Sequence, residues 1–146
     1  MKIKIILAGF FLLFMPIFSG CEEDLFDLLG DPRDRITGEW EVEEDSEIFK
    51  KKDYARHYNV NISKDPVDST AIFIEGFYEI DRAKGRVKAY MDGFTLSIPD
   101  QTLDGFTIKN GSGSIAINYK SMTLYYYVSF TGETDVVRAD YTRPAK

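Results

Sequence analysis

Between Gly38 and Thr142 polar and apolar residues alternate in short runs broken by turn residues, the period-two pattern of half-buried strands. In GEWEVEED the acids Glu39, Glu41 and Glu43 interleave with Trp40 and Val42, giving one charged and one buried face. HYNVNIS sets Tyr58, Val60 and Ile62 against His57, Asn59, Asn61 and Ser63. A turn at DPVDS, with Asp65-Pro66 presetting the bend, leads into AIFIEGFYEI, which reads as a more fully buried strand. RVKAYMDGFTLSIP splits into two short strands meeting at Asp92-Gly93, a hairpin signal, and Pro99 ends the pair. FTIKN, SGSIAINYK, SMTLYYYVSF and TDVVRADYT are separated at Asn110-Gly111, Lys120-Ser121 and Gly132, which spells an antiparallel meander. After the first strand, residues 46–56 read as a short helical turn, supported by Glu47 and Lys51 four apart.

Eight or nine short strands in about 110 residues, with no long amphipathic helix and no fixed repeat, predict an all-β domain. The expected architecture is an eight- to nine-stranded antiparallel barrel, with a β-sandwich as the alternative. A barrel also removes the sheet edges that a secreted protein must protect. The 11 Phe and 9 Tyr support this, since aromatic residues suit a pleated surface.

Upstream of that pattern the residues are distributed differently. Residues 1–20 carry Lys2 and Lys4, then the apolar run IILAGFFLLFMPIF from Ile5 to Phe18, then the small pair Ser19 and Gly20. This is the layout of a secretory signal. The apolar run has 14 residues, short of the roughly 20 that a spanning helix needs, and Pro16 interrupts it. Residues 21–34 then form an acidic tether ending in a Gly-Asp-Pro break, and 35–146 the β domain.

The only cysteine, Cys21, follows the small pair directly. FSGC, Phe18 to Cys21, resembles the lipobox of bacterial lipoproteins, with Phe18 in place of the usual Leu. That resemblance implies diacylglycerol on the Cys21 thiol, cleavage just before it and acylation of the new amino group. Several acyl chains, at about 0.8 kcal/mol per buried methylene, hold a protein on a membrane almost irreversibly. Glu22, Glu23 and Asp24 then resemble the acidic export signal that sends lipoproteins of Bacteroidota to the outer face of the outer membrane, although a solvated start to a linker would look the same. The expected location is the cell envelope, lipid-anchored in the outer membrane.

Charge narrows the partners. The full chain carries −6, and without residues 1–20 it has 16 basic against 24 acidic groups, a balance of −8. Such a domain repels nucleic acid and anionic headgroups except at a local basic patch. A single cysteine also excludes an internal disulfide, so stability must come from packing.

Gly38-Glu39-Trp40 resembles the GxW motif of lipocalins and the wider calycin barrels, in which the tryptophan closes one barrel end and a late arginine packs across its indole. Arg143 is the best positional match for that arginine and Arg138 the second; an ordinary core aromatic would satisfy Trp40 equally. IPDQ at Ile98–Gln101 and GSGSI at Gly111–Ile115 are similar to segments of small lipocalin-like lipoproteins of Bacteroidota.

Tyr125, Tyr126 and Tyr127 must divide between two faces. Met122, Leu124, Tyr126, Val128 and Phe130 form the apolar face, leaving Tyr125 and Tyr127 outward, either packed across strands or free to meet a sugar ring or protein. Tyr126 with Tyr119, Phe94 and Phe130 would surround a barrel interior, lining a ligand cavity or filling it. His57 is the only histidine and lies on a polar face, so neither a multi-histidine zinc site nor a nucleophile elbow is present. Asp65, Asp68, Asp92 and Asp104 read as turn acids without calcium-loop spacing. Asn61-Ile62-Ser63 matches a glycosylation acceptor and is read as coincidence.

The sequence thus points to a binding module rather than an enzyme, with no catalytic residue, metal or cofactor expected. It would take a small apolar or amphipathic ligand in the barrel or, alternatively, meet a glycan or envelope protein through its outer aromatic face. Oligomeric state is left open.

Overall fold

The computed structural model describes residues 30–50 and 55–145. The described residues form nine strands: β1 (Gly38–Ser46), β2 (Arg56–Lys64), β3 (Ala71–Glu75), β4 (Arg86–Asp92), β5 (Thr95–Ile98), β6 (Gln101–Leu103), β7 (Phe106–Ile115), β8 (Ser121–Phe130) and β9 (Glu133–Thr142). A four-residue helix, α1 (Glu47–Lys50), follows β1. Every ladder is antiparallel. Pairing runs β1 to β5 in order, then β5–β7–β8–β9, and β9 returns to β1, closing an eight-stranded barrel with β6 as an extra strand on β7. This closed barrel is consistent with a lipocalin-like fold, and closure excludes the sandwich.

The β5–β7 seam explains two sequence segments. A Cβ on Gly111 would lie 2.4 Å from Ile98 Cβ across this seam, and one on Gly113 would lie 2.1 Å from Leu124 Cδ2 across the β7–β8 ladder, so a side chain at either position would crowd the neighbouring strand. Where Pro99 ends β5, the Gln101 side chain continues the ladder: its amide accepts from Lys88 N–H and donates to Lys88 C=O, both at 2.8 Å. IPDQ and GSGSI therefore meet at one seam.

Two runs differ from their sequence reading. Asn110-Gly111 is a bulge within β7, not a turn between strands, because the ladder slips between Lys109 and Ser112 and continues. In AIFIEGFYEI the strand stops at Glu75, and Tyr78 and Glu79 take left-handed backbone angles, φ 56° and 59°. The run is apolar because Phe77, Tyr78 and Ile80 fold over the barrel end and are buried there. The helical turn expected over 46–56 appears as α1, and residues 51–54 lie outside the described residues.

Inward positions of the strands carry Trp40, Val60, Ile62, Ile74, Ile108, Leu124, Tyr126 and Tyr141, with Phe77 capping them from the side of the β3–β4 connection. One barrel end, where β1 starts, is sealed around Trp40. Its indole N–H donates to Ile36 C=O at 2.8 Å, and Arg143 Cζ lies 4.1 Å from the ring centroid. Arg143 also donates to Thr37 C=O at 2.8 Å and Arg35 C=O at 2.7 Å. A 3-10 turn, Pro32–Arg35, sits at the boundary drawn between tether and domain. Its buried Arg33 holds the Asp31 carboxyl down at about 2 through their hydrogen bonds.

Candidate functional site

The opposite barrel end, where β1 stops, holds polar groups that the apolar pattern hides. Glu44 is in phase with Trp40 and Val42, so its side chain points inward and is completely buried. A carboxylate there must be both paired and hydrogen-bonded. Arg56, its partner across the β1–β2 ladder, supplies the charge: Nε donates to Oε1 at 3.0 Å and a terminal guanidinium N–H joins it. Tyr126 donates to Oε2 at 2.8 Å, and Tyr58 donates to the same oxygen. Burial works against the Arg56 charge, but the adjacent Glu44 carboxylate outweighs it and raises the Arg56 pKa. Burial, reinforced by Glu44, pushes the Tyr58 and Tyr126 hydroxyls well above the phenol range, so both remain donors. The Tyr141 hydroxyl, raised by burial as well, is buried without a hydrogen-bond partner among the described residues.

Asp135 forms a second buried anchor, in phase with Val137, Ala139 and Tyr141. It accepts from Ser46 Oγ, from Tyr78 OH at 2.7 Å and from Ile48 N–H at 3.1 Å. Ser46 in turn caps α1, its Oγ accepting from Phe49 N–H at 3.1 Å. One carboxylate thus ties the helix start and the left-handed turn to the barrel. Burial and the bond to Asp135 both raise the Tyr78 pKa.

Above these anchors lies a pocket of about 470 Å³, lined by Phe49, Arg56, Tyr78, Phe106 and Phe130 with Glu79, Ile80, Asp81 and Asp104. The Arg56 guanidinium sits between two rings, 4.3 Å from the centroids of both Phe49 and Tyr78. Phe106 packs at 5.2 Å on Phe130 and edge-on at 5.6 Å to Tyr78. The result is an aromatic mouth with an ionic rim, Arg56 reaching Glu79 at 3.5 Å. A wider recess of about 900 Å³ lies at the Trp40 end, but its walls carry Glu39, Asn118, Lys120 and Arg143 beside Tyr119.

The four aromatics assigned to an interior cavity do not converge. Tyr126 is buried, its ring 4.5 Å from Phe77. Phe130 belongs to the mouth, while Tyr119 and Phe94 pair at 5.3 Å at the Trp40 end, where residues after Ile115 turn instead of continuing the strand. Tyr125 and Tyr127 face outward, 52% and 42% exposed. His57 is exposed on the outer face. Cys21 lies outside the described residues. Among the described residues no group of three His, Cys, Asp or Glu side chains is arranged to hold a metal ion.

Sequence reasoning missed Glu44, Arg56, Tyr78 and Asp135. The signal for the two acids was available: each occupies an apolar-phase position of its strand.

No protein-family model matches the chain, and no curated protein is significantly similar to it in sequence.

Proposed function

We propose that the chain is a cell-envelope lipoprotein, anchored in the outer membrane through acyl chains on Cys21, whose barrel is a non-catalytic binding module for a small amphipathic ligand. The aromatic mouth carries the ligand half of this reading. Its volume is within the range of small-molecule pockets, about 300–1,000 Å³. An apolar body suits the rings of Phe49, Tyr78, Phe106 and Phe130, and a polar head suits Arg56, Glu79 and Asp104 at the rim. Binding at the mouth rather than deeper is favoured because Trp40, Tyr126, Tyr141 and Phe77 occupy the interior. Binding rather than turnover is favoured because the buried carboxylates beneath the mouth, Glu44 and Asp135, are committed to structural donors.

The second reading, contact with a glycan or envelope protein, draws on the outer sheet face, where Tyr127 sits directly across from the exposed Val136 and Tyr125 across from Arg138. An anionic naphthalene fluorophore separates the two. With the unacylated mature chain, fluorescence titration should give one saturable site, and Phe106→Ser with Phe130→Ser should weaken it about tenfold or more, ~1.4 kcal/mol. Tyr125→Ser with Tyr127→Ser should leave it unchanged. The opposite pattern moves binding to the outer face.

The anchor has its own test. Cys21→Ala should abolish incorporation of labelled palmitate and release the protein from the membrane fraction; continued labelling would remove the assignment.

A further inference from the structure

The Trp40 end carries an unusual set of loop tips. Val67 in the β2–β3 turn is 93% exposed, Ile117 in the β7–β8 turn 83%, and Phe94 in the β4–β5 hairpin 42%. The other exposed large apolar residues described, Tyr90, Tyr125, Tyr127 and Val136, lie on strands rather than at an end. Loops described at the aromatic mouth expose none. Basic groups flank the tips: Lys120 follows Ile117 by three residues, and Arg35 Cζ lies 4.9 Å from the Tyr119 ring centroid.

The chain enters the domain at this same end. Arg33 donates to the carbonyls of Asp65 at 3.2 Å, Asp68 at 2.8 Å and Ala71 at 2.8 Å, which staples the first turn to the loop that carries Val67. Asp31 lies only ten positions after Cys21, a reach of at most about 35 Å when fully extended. A ten-residue barrel strand such as β8 spans about 25 Å along the axis. To set the mouth on the bilayer, the tether would have to run back along the barrel at about seven-tenths of its full extension. To set the Trp40 end there, it need not stretch at all.

We propose that the Trp40 end is a lipid-docking surface, with Val67, Phe94 and Ile117 inserted at the bilayer interface and the aromatic mouth held away from it. The inference rests on the reading of Cys21 as acylated. Apolar tips with neighbouring Lys and aromatic side chains suit the headgroup boundary, where long basic side chains bury their stems and keep their charge in water. Apolar insertion rather than charge is the driving contact, in keeping with the acidic domain, so a zwitterionic bilayer suffices.

The acylated mature protein is reconstituted into phosphatidylcholine vesicles, with an environment-sensitive fluorophore on Ile117→Cys or, at the mouth end, on Glu133→Cys. A nitroxide-labelled lipid should quench the label at 117 several-fold more than that at 133, and iodide the reverse. Val67→Asp should remove that difference at the 117 label while leaving the protein on the vesicles. Equal iodide quenching at both sites, with the protein still sedimenting with vesicles, leaves the anchor standing and overturns the docking surface. Protection from iodide without lipid quenching also overturns it, since the tether or a second copy then covers the tips. Protein left in the supernatant overturns both readings.

Discussion

Replacing Arg56 with Leu is expected to cost about 3–5 kcal/mol of unfolding free energy, because the Glu44 carboxylate is then buried without a cation. Its side chain is 0% exposed and that of Arg56 11%, so water cannot take over the pairing. Tyr58 and Tyr126 would still donate to it, but hydrogen bonds from neutral groups do not neutralise a charge in a low-dielectric interior. For a domain of this size the loss corresponds to a fall in Tm of about 10–25 °C. Adding Glu44→Leu to the variant should recover part of it, since the unpaired charge is gone, but the Tyr58 and Tyr126 hydroxyls then lose their acceptor at about 1–3 kcal/mol for each donor left unsatisfied. Urea unfolding of wild type, both single variants and the double variant measures the coupling. A single variant within about 1 kcal/mol of wild type would show that the pair contributes little. The double variant has a second use. It removes the buried charge but also the cation between Phe49 and Tyr78, so fluorophore binding should weaken while stability recovers in part.

That separation of stability from binding reflects what could be read from the chain. The barrel was legible because period-two alternation survives in eight strands, and the turn residues at Asp92-Gly93 and Gly132 punctuate it locally. Trp40 and Arg143 were legible because a short motif places them at the two ends of the domain. The mouth was not. Its aromatic residues come from α1, β7, β8 and a 3-10 turn, separated by up to 81 positions between Phe49 and Phe130, and no local pattern links them. Phe77 and Tyr78 extended the apolar run of β3 and so looked like strand, although the two consecutive left-handed residues make continuation of the ladder impossible. Tyr119 was placed by alternation inside the barrel, but its left-handed backbone, φ 55°, puts it in a turn. Alternation identifies which face a residue occupies only while the strand lasts.

Asp135→Ala should be the most damaging single change to the mouth itself. Three donors lose their acceptor, and the Tyr78 hydroxyl is too deeply buried to find water, at about 1–3 kcal/mol for each donor left unsatisfied. The backbone of Tyr78 is strained by about 1–3 kcal/mol in its left-handed conformation, which persists only while its surroundings hold it. Removing the carboxylate takes away the bond that holds the side chain, and the turn relaxes towards ordinary angles. A four-residue helix depends on its tertiary contacts, and with the acceptor of Ile48 N–H and the partner of the capping Ser46 hydroxyl both gone, α1 should loosen in the same variant. Phe49 and Tyr78 then leave the Arg56 guanidinium together, and the pocket loses two of its four aromatic walls. Hydrogen exchange should therefore accelerate at Ile48 and at residues 76–80 well before the β8–β9 ladder responds, and fluorophore affinity should fall at temperatures where the barrel remains folded. If exchange instead rises uniformly across all strands, Asp135 supports the barrel as a whole and has no special hold on the mouth.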